Sequence, residues 1–167
     1  MKAREKITPP QELREICASV RREGRRVVFT NGCFDILHVG HVRYLEAAHD
    51  LGDVLVVGVN SNASVRQIKG PDRPVVEEAQ RAELVAALHC VDYVTLFDEP
   101  DPLQLIQMIS PHVLVKGADW AEERIIGRDT VVKDGGEVVR IPFEPGASST
   151  GIIDRILTRF SKRKASE

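Results

Sequence analysis

Five short apolar runs, separated by stretches with helical periodicity, divide the chain. Each run has the length of a strand, and several are apolar almost throughout instead of alternating with polar residues. Continuous apolar character is typical of strands that are covered on both faces, as in a parallel sheet between two layers of helices. The predicted strands comprise residues 26–30, 53–59, 92–96, 112–116 and 137–141.

Apolar residues at helical spacing lie between these runs. The first pattern, Leu13, Ile16, Cys17 and Val20, predicts an amphipathic helix that stops at Gly24. Strand and helix then alternate, which indicates right-handed βαβ crossovers and an open, doubly wound α/β sheet. The later helices are predicted around Val42, Leu45 and Ala48, around Leu84, Ala87 and Leu88, around Leu105, Ile106 and Ile109, and around Ile152, Ile153, Ile156, Leu157 and Phe160 after a cap at Ser148.

Length, charge and cysteine usage narrow the class of protein. A chain of 167 residues is expected to form one domain, with a core at about residues 10–160 and a flexible basic tail at 161–167. The 23 basic and 25 acidic side chains give a net charge of −2, so no nucleic-acid or membrane surface is expected. Three cysteines at no metal-binding spacing, and a polar N-terminus without a signal-peptide run, predict a cytoplasmic protein.

Polar segments of unusual composition follow four of the predicted strands. In open α/β sheets, ligands bind outside the carboxyl ends of the strands, where the strand order reverses. The segments should therefore meet at one edge of the sheet and form one site. They are NGCFDILHVGH at 31–41, SNASVRQIKGPDRP at 61–74, GADW at 117–120 and EPGASST at 144–150.

Two histidines three residues apart, His38 and His41, give this edge its candidate chemistry. They lie at a predicted helix start, where free backbone N–H groups favour an anion, and Gly40 between them allows close approach, so a phosphate fits best. A metal site is an alternative, because Asp35 with the two imidazoles could form a facial triad of a metal-dependent phosphohydrolase. The third interpretation is structural, with both rings serving only as polar residues at a helix start.

The other polar segments carry cations and a helix cap. Lys69 and Arg73 are either solvated charges or cations placed over bound phosphates. The segment 148–150, Ser-Ser-Thr, is a helix cap that can also seat a phosphate. Asp119 and Trp120 are either a turn residue and a packing aromatic or part of the site, and Cys33 lacks a paired base that would make it a nucleophile.

Two segments resemble the signature motifs of a known superfamily. GCFDILHVGH has the form G-x-F-D-x-x-H-x-G-H of the nucleotidyltransferases that include glycerol-phosphate and choline-phosphate cytidylyltransferases, and SSTGIIDRI resembles their second motif. Over residues 10–160 the chain is most similar to the adenylyltransferase half of bacterial heptose kinase/adenylyltransferases, through KGPDRP, Gln80–Leu88, LVKGADW and GGEVV. Close relatives often show Cys-Ser-Thr-Thr-Asn where this chain has Ala147 to Gly151, and the kinase half is not matched.

The resemblance implies a fold and a reaction. The fold would be a Rossmann-like sheet of five parallel strands in the order 3-2-1-4-5, with helices on both faces. ATP with Mg²⁺ would donate AMP to D-glycero-β-D-manno-heptose 1-phosphate, giving ADP-heptose for the lipopolysaccharide core, in a homo-oligomer. The two alternatives are a cytidylyltransferase acting on a small alcohol phosphate such as glycerol 3-phosphate, and a nucleotide-binding sensor without catalysis.

The resemblance also implies roles for individual residues, with no protein ligand assigned to a metal. His38, His41 and Lys69 would stabilise the reacting phosphates. Asp35, Arg73 and Trp120 would contact the acceptor. The nucleotide contacts would be Thr30, Asn31, Cys33, Phe34, Gly40, Lys116, Gly117, Asp119, Ser148, Ser149 and Thr150.

Overall fold

The predicted strands form a single parallel sheet. The structure, a computed structural model, describes residues 1–118, 121–142 and 144–164, except for the side chains of residues 122 and 161–164. The strand order is β3-β2-β1-β4-β5, which confirms the order expected from the resemblance. The strands are β1 (Val27–Gly32), β2 (Val54–Asn60), β3 (Tyr93–Phe97), β4 (Val113–Gly117) and β5 (Glu137–Ile141), each within two residues of its predicted bounds.

Helices connect consecutive strands, as the alternating pattern predicted. Within the described residues, no helix is both long and apolar enough to cross a lipid bilayer. Short 3₁₀ turns occupy Ala3–Lys6 and Glu122–Arg124. The helices are α1 (Pro10–Arg22), α2 (Val39–His49), α3 (Asn62–Lys69), α4 (Glu78–Ala86), α5 (Leu103–Ile109), α6 (Arg128–Lys133) and α7 (Ser149–Lys164).

The central strands of the sheet are covered on both faces, because they carry consecutive apolar residues. In β1, Val27 and Phe29 pack with the residues of α1, α5 and α6, whereas Val28 packs on the opposite face with those of α2 and α4. Successive side chains of a strand point to opposite faces, so a continuous apolar run supplies two cores at once. All seven residues of β2 are buried in the same way.

The first helix follows its sequence pattern closely. Leu13, Cys17 and Val20 are buried against the sheet, as their spacing predicted. The helix ends at Arg22, and Gly24 adopts a φ of 73°, the left-handed conformation in which a helix commonly terminates. The remaining positions of this helix are mostly polar and face solvent, which is the expected division for a helix that covers one face of a sheet.

Several details differ from the sequence-based expectation. The segment after β2 was expected to be a loop, but it contains α3, which buries only Ser64 and Val65 and therefore shows a weak apolar pattern. Helix α6 was not predicted for the same reason, since only Val131 is buried. In α4 the predicted buried face was wrong, because Leu84 is 48% exposed. Helix α7 continues to Lys164, so residues 161–164 of the expected tail have helical backbone.

The topology opens a cleft at the carboxyl end of β1. This strand pairs with β2 on one side and with β4 on the other, and the chain moves outward from it in both directions. The loops that leave β1 and β4 must therefore separate to opposite sides of the sheet. A ligand can enter between them, as is general for doubly wound sheets.

Two glycines with similar backbone conformations allow a test of core packing. Gly127 (φ +87°) lies with its missing Cβ position 2.5 Å from Cδ1 of the fully buried Ile106, whereas nothing lies within 4 Å of that position at Gly135 (φ +82°). Gly135→Ala should cost about 1 kcal/mol of unfolding free energy from backbone strain alone. Gly127→Ala should cost a further ~1–3 kcal/mol because it overpacks the core. Urea denaturation of both variants measures the difference, and equal costs would contradict this packing.

Candidate active site

A cleft of about 640 Å³ lies at the carboxyl edge of the sheet, centred on the end of β1. This volume is in the range of small-molecule binding sites, roughly 300–1,000 Å³. Most of the residues predicted from the sequence line this cleft. They are Asn31, Cys33, Phe34, Asp35, His38, Gly40, His41, Lys69, Arg73, Lys116, Gly117, Ser148, Ser149 and Thr150.

The two histidines stack on each other at the start of α2. Their ring centroids are 3.8 Å apart, and the planes differ by 24°. His38 is the N-cap residue of α2, and its backbone N–H donates a long hydrogen bond of 3.4 Å to Nδ1 of His41. Because Nδ1 of His41 accepts, the proton of the neutral ring lies on Nε2. His41 therefore presents an N–H donor that has no partner among the described residues.

Gly40 makes this arrangement possible. A Cβ at this position would lie 3.0 Å from Nδ1 of His38 and 3.2 Å from Cβ of Ala147. Any larger residue would push the His38 ring away or separate α2 from the turn that precedes α7. The sequence predicted close approach at Gly40, and the structure identifies the two groups that approach it.

Both imidazoles are neutral in the free site. Burial lowers the pKa of His38, and burial together with the charge of His38 lowers the pKa of His41 to about 4. Stacked rings at this distance cannot both be protonated without strong repulsion. At neutral pH the pair is therefore a hydrogen-bond donor set rather than a pair of cations.

Phe34 also contacts the His41 ring. The two ring centroids are 5.3 Å apart, and the planes are tilted by 56°. Phe34 is 5% exposed and has a φ of +46°, which is rare for an aromatic residue and typical of strained positions at functional sites. Gly32 leaves room for it, since a Cβ there would lie 3.0 Å from the Phe34 ring. The His41 ring thus contacts the rings of both His38 and Phe34.

Asp35 is not available in the way the sequence predicted. Its carboxylate accepts hydrogen bonds from Val75 N–H and Val76 N–H, both at 2.8 Å, and from Nε of Arg73 at 2.5 Å. Burial would raise the pKa of Asp35, but these hydrogen bonds and the Arg73 charge lower it. Asp35 is only 2% exposed, so a direct contact of this carboxylate with the acceptor or a metal is not supported.

This geometry also bears on the metal alternative. Among the described residues, no three His, Cys, Asp or Glu side chains converge in a way that could hold a metal ion. The proposed triad of Asp35, His38 and His41 does not form, because the Asp35 carboxylate is directed to Val75, Val76 and Arg73 instead. The two histidines therefore have no carboxylate beside them that would complete such a triad.

Two lysines line the cleft, one from a helix and one from a strand. Lys69 is the last residue of α3, and its side chain is exposed beside the cleft. Lys116 at the end of β4 donates a hydrogen bond to Oδ1 of Asn31, which joins the ends of β1 and β4. The positive charges therefore stand on both sides of the central strand.

The start of α7 combines a helix cap with the cleft wall. The Ser148 hydroxyl accepts a hydrogen bond of 3.0 Å from Gly151 N–H, which confirms the predicted cap. The Ser149 hydroxyl donates to Ile36 O at 3.0 Å and ties the helix to the loop before α2. Thr150 is exposed in the first turn. Two helix N-termini, those of α2 and α7, are thereby brought side by side.

Three other predicted residues do not fall in the cleft or cannot be placed. Thr30 is fully buried, and its hydroxyl hydrogen-bonds to that of Tyr44 at 2.7 Å, so the predicted nucleotide contact is incorrect. Thr30 instead positions Tyr44, which does line the cleft. Asp119 and Trp120 lie outside the described residues.

Arg81 is a site residue that sequence reasoning missed. Its side chain is fully buried beneath the β1–α2 loop, and it donates hydrogen bonds to Cys33 O, to Val76 O at 2.8 Å and to Asn62 Oδ1 at 3.1 Å. Burial lowers its pKa, but an arginine remains charged at neutral pH. The only available signal was its place in the Gln80–Leu88 pattern.

Asn60 and Asp101 are two further cleft residues that were not predicted from the sequence. Both line the cleft on the β2–β3 side. Asp101 belongs to the segment after β3. Since β3 ends at the same sheet edge as the strands before the other polar segments, this segment carried the same topological signal.

Burial raises the pKa of the Cys33 thiol, and the charges of Lys69, Arg81 and Arg73 oppose this shift only in part. The thiol is therefore not an activated nucleophile.

Comparison with known proteins found a matching family and several similar relatives. Residues 29–155 match the family described as cytidylyltransferase-like. Two curated relatives are named bifunctional protein HldE. The one from Trichlorobacter lovleyi is 53% identical over 156 residues, and the one from Syntrophotalea carbinolica is 52% identical over 157 residues. The matches cover 93% and 94% of this chain but 32% of each relative, so the chain spans about a third of their length.

Solved structures give the same picture of the fold. The lipopolysaccharide core biosynthesis protein from Thermoplasma volcanium superposes with a TM-score of 0.60 at 30% identity, covering 72% of this chain and 98% of that one. A pantoate-beta-alanine ligase from Francisella tularensis has a TM-score of 0.60 at 18% identity, over 83% of this chain and 67% of that one. The second likeness shows the fold alone.

The neutral state of His41 should make stability depend on pH. The unfolded chain takes up a proton on this imidazole near pH 6.5, but the folded chain does so only near pH 4. The free energy of unfolding should therefore fall by on the order of 2 kcal/mol as the pH is lowered from 6.5 to 4. His41→Gln should flatten this fall. Urea unfolding at pH 8, 6.5, 5.5 and 4.5 compares the two chains, and parallel curves would contradict the burial of a neutral ring.

Proposed function

The chain belongs to the cytidylyltransferase-like family, and we propose that it is an adenylyltransferase that transfers AMP from ATP to D-glycero-β-D-manno-heptose 1-phosphate. The products are ADP-heptose and pyrophosphate, and the proposed setting is lipopolysaccharide core synthesis in the cytoplasm. The choice of acceptor rests on the KGPDRP and LVKGADW segments and on the identity to the bifunctional proteins HldE.

The observation that carries the proposal is the convergence of two helix N-termini on the histidine pair. The first turns of α2 and α7 meet where Gly40 faces Ala147. Each helix start directs unsatisfied N–H groups and a positive dipole end towards its mouth. Neutral His38 and His41 add N–H donors at the same place, and Lys69 adds a charge from the opposite side of the cleft. Such a cluster suits a polyphosphate better than any uncharged ligand.

The reaction proposed for this site needs no general base. A phosphate monoester has a second pKa near 6, so the acceptor's 1-phosphate is already ionised at neutral pH. One of its oxygens attacks the α-phosphorus of ATP, a new P–O bond forms, and the bond to pyrophosphate breaks in line. Catalysis then depends on holding two anions together and on stabilising charge on the transferring group.

The residues of the cleft divide this task. Nε2–H of His41 donates to an oxygen of the triphosphate, and His38 acts beside it. Ser148 and Thr150 at the start of α7 hold the β- and γ-phosphates. The ends of β1 and β4, with Asn31 and Lys116, form the wall next to the nucleoside, because the triphosphate occupies the neighbouring helix starts.

The carboxylates of the cleft fit a magnesium ion that is bound mainly by ATP. Asp35 already accepts three hydrogen bonds and is buried, and Glu144 pairs with Arg43. Asp101 accepts from Leu103 N–H with Oδ1, which leaves Oδ2 as a ligand. Mg²⁺ usually keeps its waters and few protein ligands when it binds with nucleotide phosphates. When bound, it would neutralise part of the charge on the triphosphate.

A four-way substrate comparison tests the proposed function. The chain is incubated with ATP or CTP and with D-glycero-β-D-manno-heptose 1-phosphate or glycerol 3-phosphate, and pyrophosphate release is measured. We expect release only with ATP and the heptose phosphate. Release with CTP and glycerol 3-phosphate would instead identify a cytidylyltransferase, and nucleotide binding without release in any combination would identify a sensor.

Replacement of His41 tests the role of the imidazole donor. His41→Ala should lower kcat by about 10²–10³, the usual loss when one transition-state hydrogen-bond donor is removed from a preorganised site. Circular dichroism and the urea midpoint at pH 8 control for folding. A folded variant with a kcat close to that of the parent chain would show that His41 does not stabilise the transition state.

A further inference from the structure

We propose that Asp35 is a positioning residue, which fixes residues 70–77 over the cleft and directs the Arg73 guanidinium at the phosphate of the acceptor. This inference rests on the proposed function, because it assigns a partner to one part of the same cleft. It replaces the direct acceptor contact that the sequence suggested for Asp35.

The hydrogen bonds of Asp35 define what it can do. One oxygen accepts from two consecutive backbone N–H groups, those of Val75 and Val76, and the other accepts from Nε of Arg73. A carboxylate that accepts two backbone N–H bonds holds a chain segment in one position. At 2% exposure, Asp35 can act on a ligand only through the groups it holds.

The contact with Asp35 uses only one of the three guanidinium nitrogen atoms of Arg73. Its side chain lines the cleft and is 18% exposed, and Asp35 binds only Nε. Within the ranges that the structure describes, Nη1 and Nη2 of Arg73 have no hydrogen-bond partner. A largely buried cation with two unpaired planar donors is suited to bidentate binding of a phosphate.

Arg81 holds the same segment from below. It donates to Val76 O and to Cys33 O, so it joins the far end of the 70–77 segment to the loop that carries Asp35. Two buried side chains of opposite charge therefore fix the segment to the β1–α2 loop. Arg73 is placed in the cleft without first having to order a mobile loop, which reduces the entropic cost of binding.

The topology assigns Arg73 to the acceptor rather than to the triphosphate. The segment follows β2 and α3, whereas α7 follows β5, and β2 and β5 lie on opposite sides of β1 in the sheet. In an in-line displacement, the attacking phosphate and the leaving pyrophosphate approach the α-phosphorus from opposite directions. If the helix starts hold the leaving group, the cation on the β2 side faces the attacking anion.

The substitution Asp35→Asn separates the two tasks of this carboxylate. The amide oxygen can still accept from Val75 and Val76, so the backbone contacts and the fold are retained. The amide nitrogen then stands against Nε–H of Arg73, donor against donor, and the guanidinium is displaced. Arg73→Gln removes the guanidinium itself. Arg66→Gln is the matched control, because it removes an exposed cation of α3 that does not line the cleft.

Steady-state kinetics and calorimetry read out the effect. Asp35→Asn and Arg73→Gln should each raise KM for the heptose phosphate by about tenfold or more, the scale of a lost charge-assisted hydrogen bond. Affinity for α,β-methylene ATP should stay near that of the parent chain. The double variant should be no worse than the poorer single variant, because both changes act through the same guanidinium. Arg66→Gln should behave as the parent.

Three results would overturn the inference. These are a loss of affinity for the ATP analogue with an unchanged acceptor KM, additive effects in the double variant, or an Asp35→Asn variant with a normal acceptor KM. If the parent chain releases no pyrophosphate, the proposed function fails. The inference is then tested separately, by calorimetry of inorganic phosphate binding to the protein saturated with the ATP analogue. Weaker phosphate binding in both variants supports the inference, and unchanged binding overturns it.

Discussion

The close contact between the first turn of α2 and the turn before α7 is the constraint on which the site depends. Gly40 allows it, because any side chain there would meet the His38 ring and Ala147. The Ser149 hydroxyl closes the same junction through its hydrogen bond to Ile36 O. Since both helices begin here, one small residue brings two positive helix ends and two imidazoles to a single place.

The electrostatics of the cleft follow from burial rather than from net charge. The chain as a whole carries −2, yet Lys69, Arg73 and Lys116 line the cleft, and Arg81 is buried beneath the β1–α2 loop at its edge. The histidines contribute donors without charge, because burial and their mutual contact lower the pKa values of both. A site of this kind attracts anions through its cations and then orients them through neutral hydrogen bonds.

The sequence was a reliable guide wherever one pattern had one physical cause. Short apolar runs predicted all five strands, and the runs are most continuous in the central strands because those are buried on both faces, as in β2, whereas the edge strand β5 is partly exposed. It was unreliable where burial was slight: α3 and α6 each bury only one or two residues, and their patterns resemble those of loops. Leu84 misled for the opposite reason, because an apolar residue at helical spacing can also lie on the exposed face.

By itself, then, the sequence determined the parallel sheet and the edge of the sheet at which the cleft lies, because periodicity and strand ends are local properties, and its motifs, through the resemblance, indicated most of the residues that line the cleft. Only the tertiary structure decided what each polar group does. Asp35 is directed to Val75 and Val76, Thr30 to Tyr44, and Arg81 to Cys33 O. These partners are distant in sequence, and a buried polar group bonds to whatever the fold places beside it, which no local pattern records.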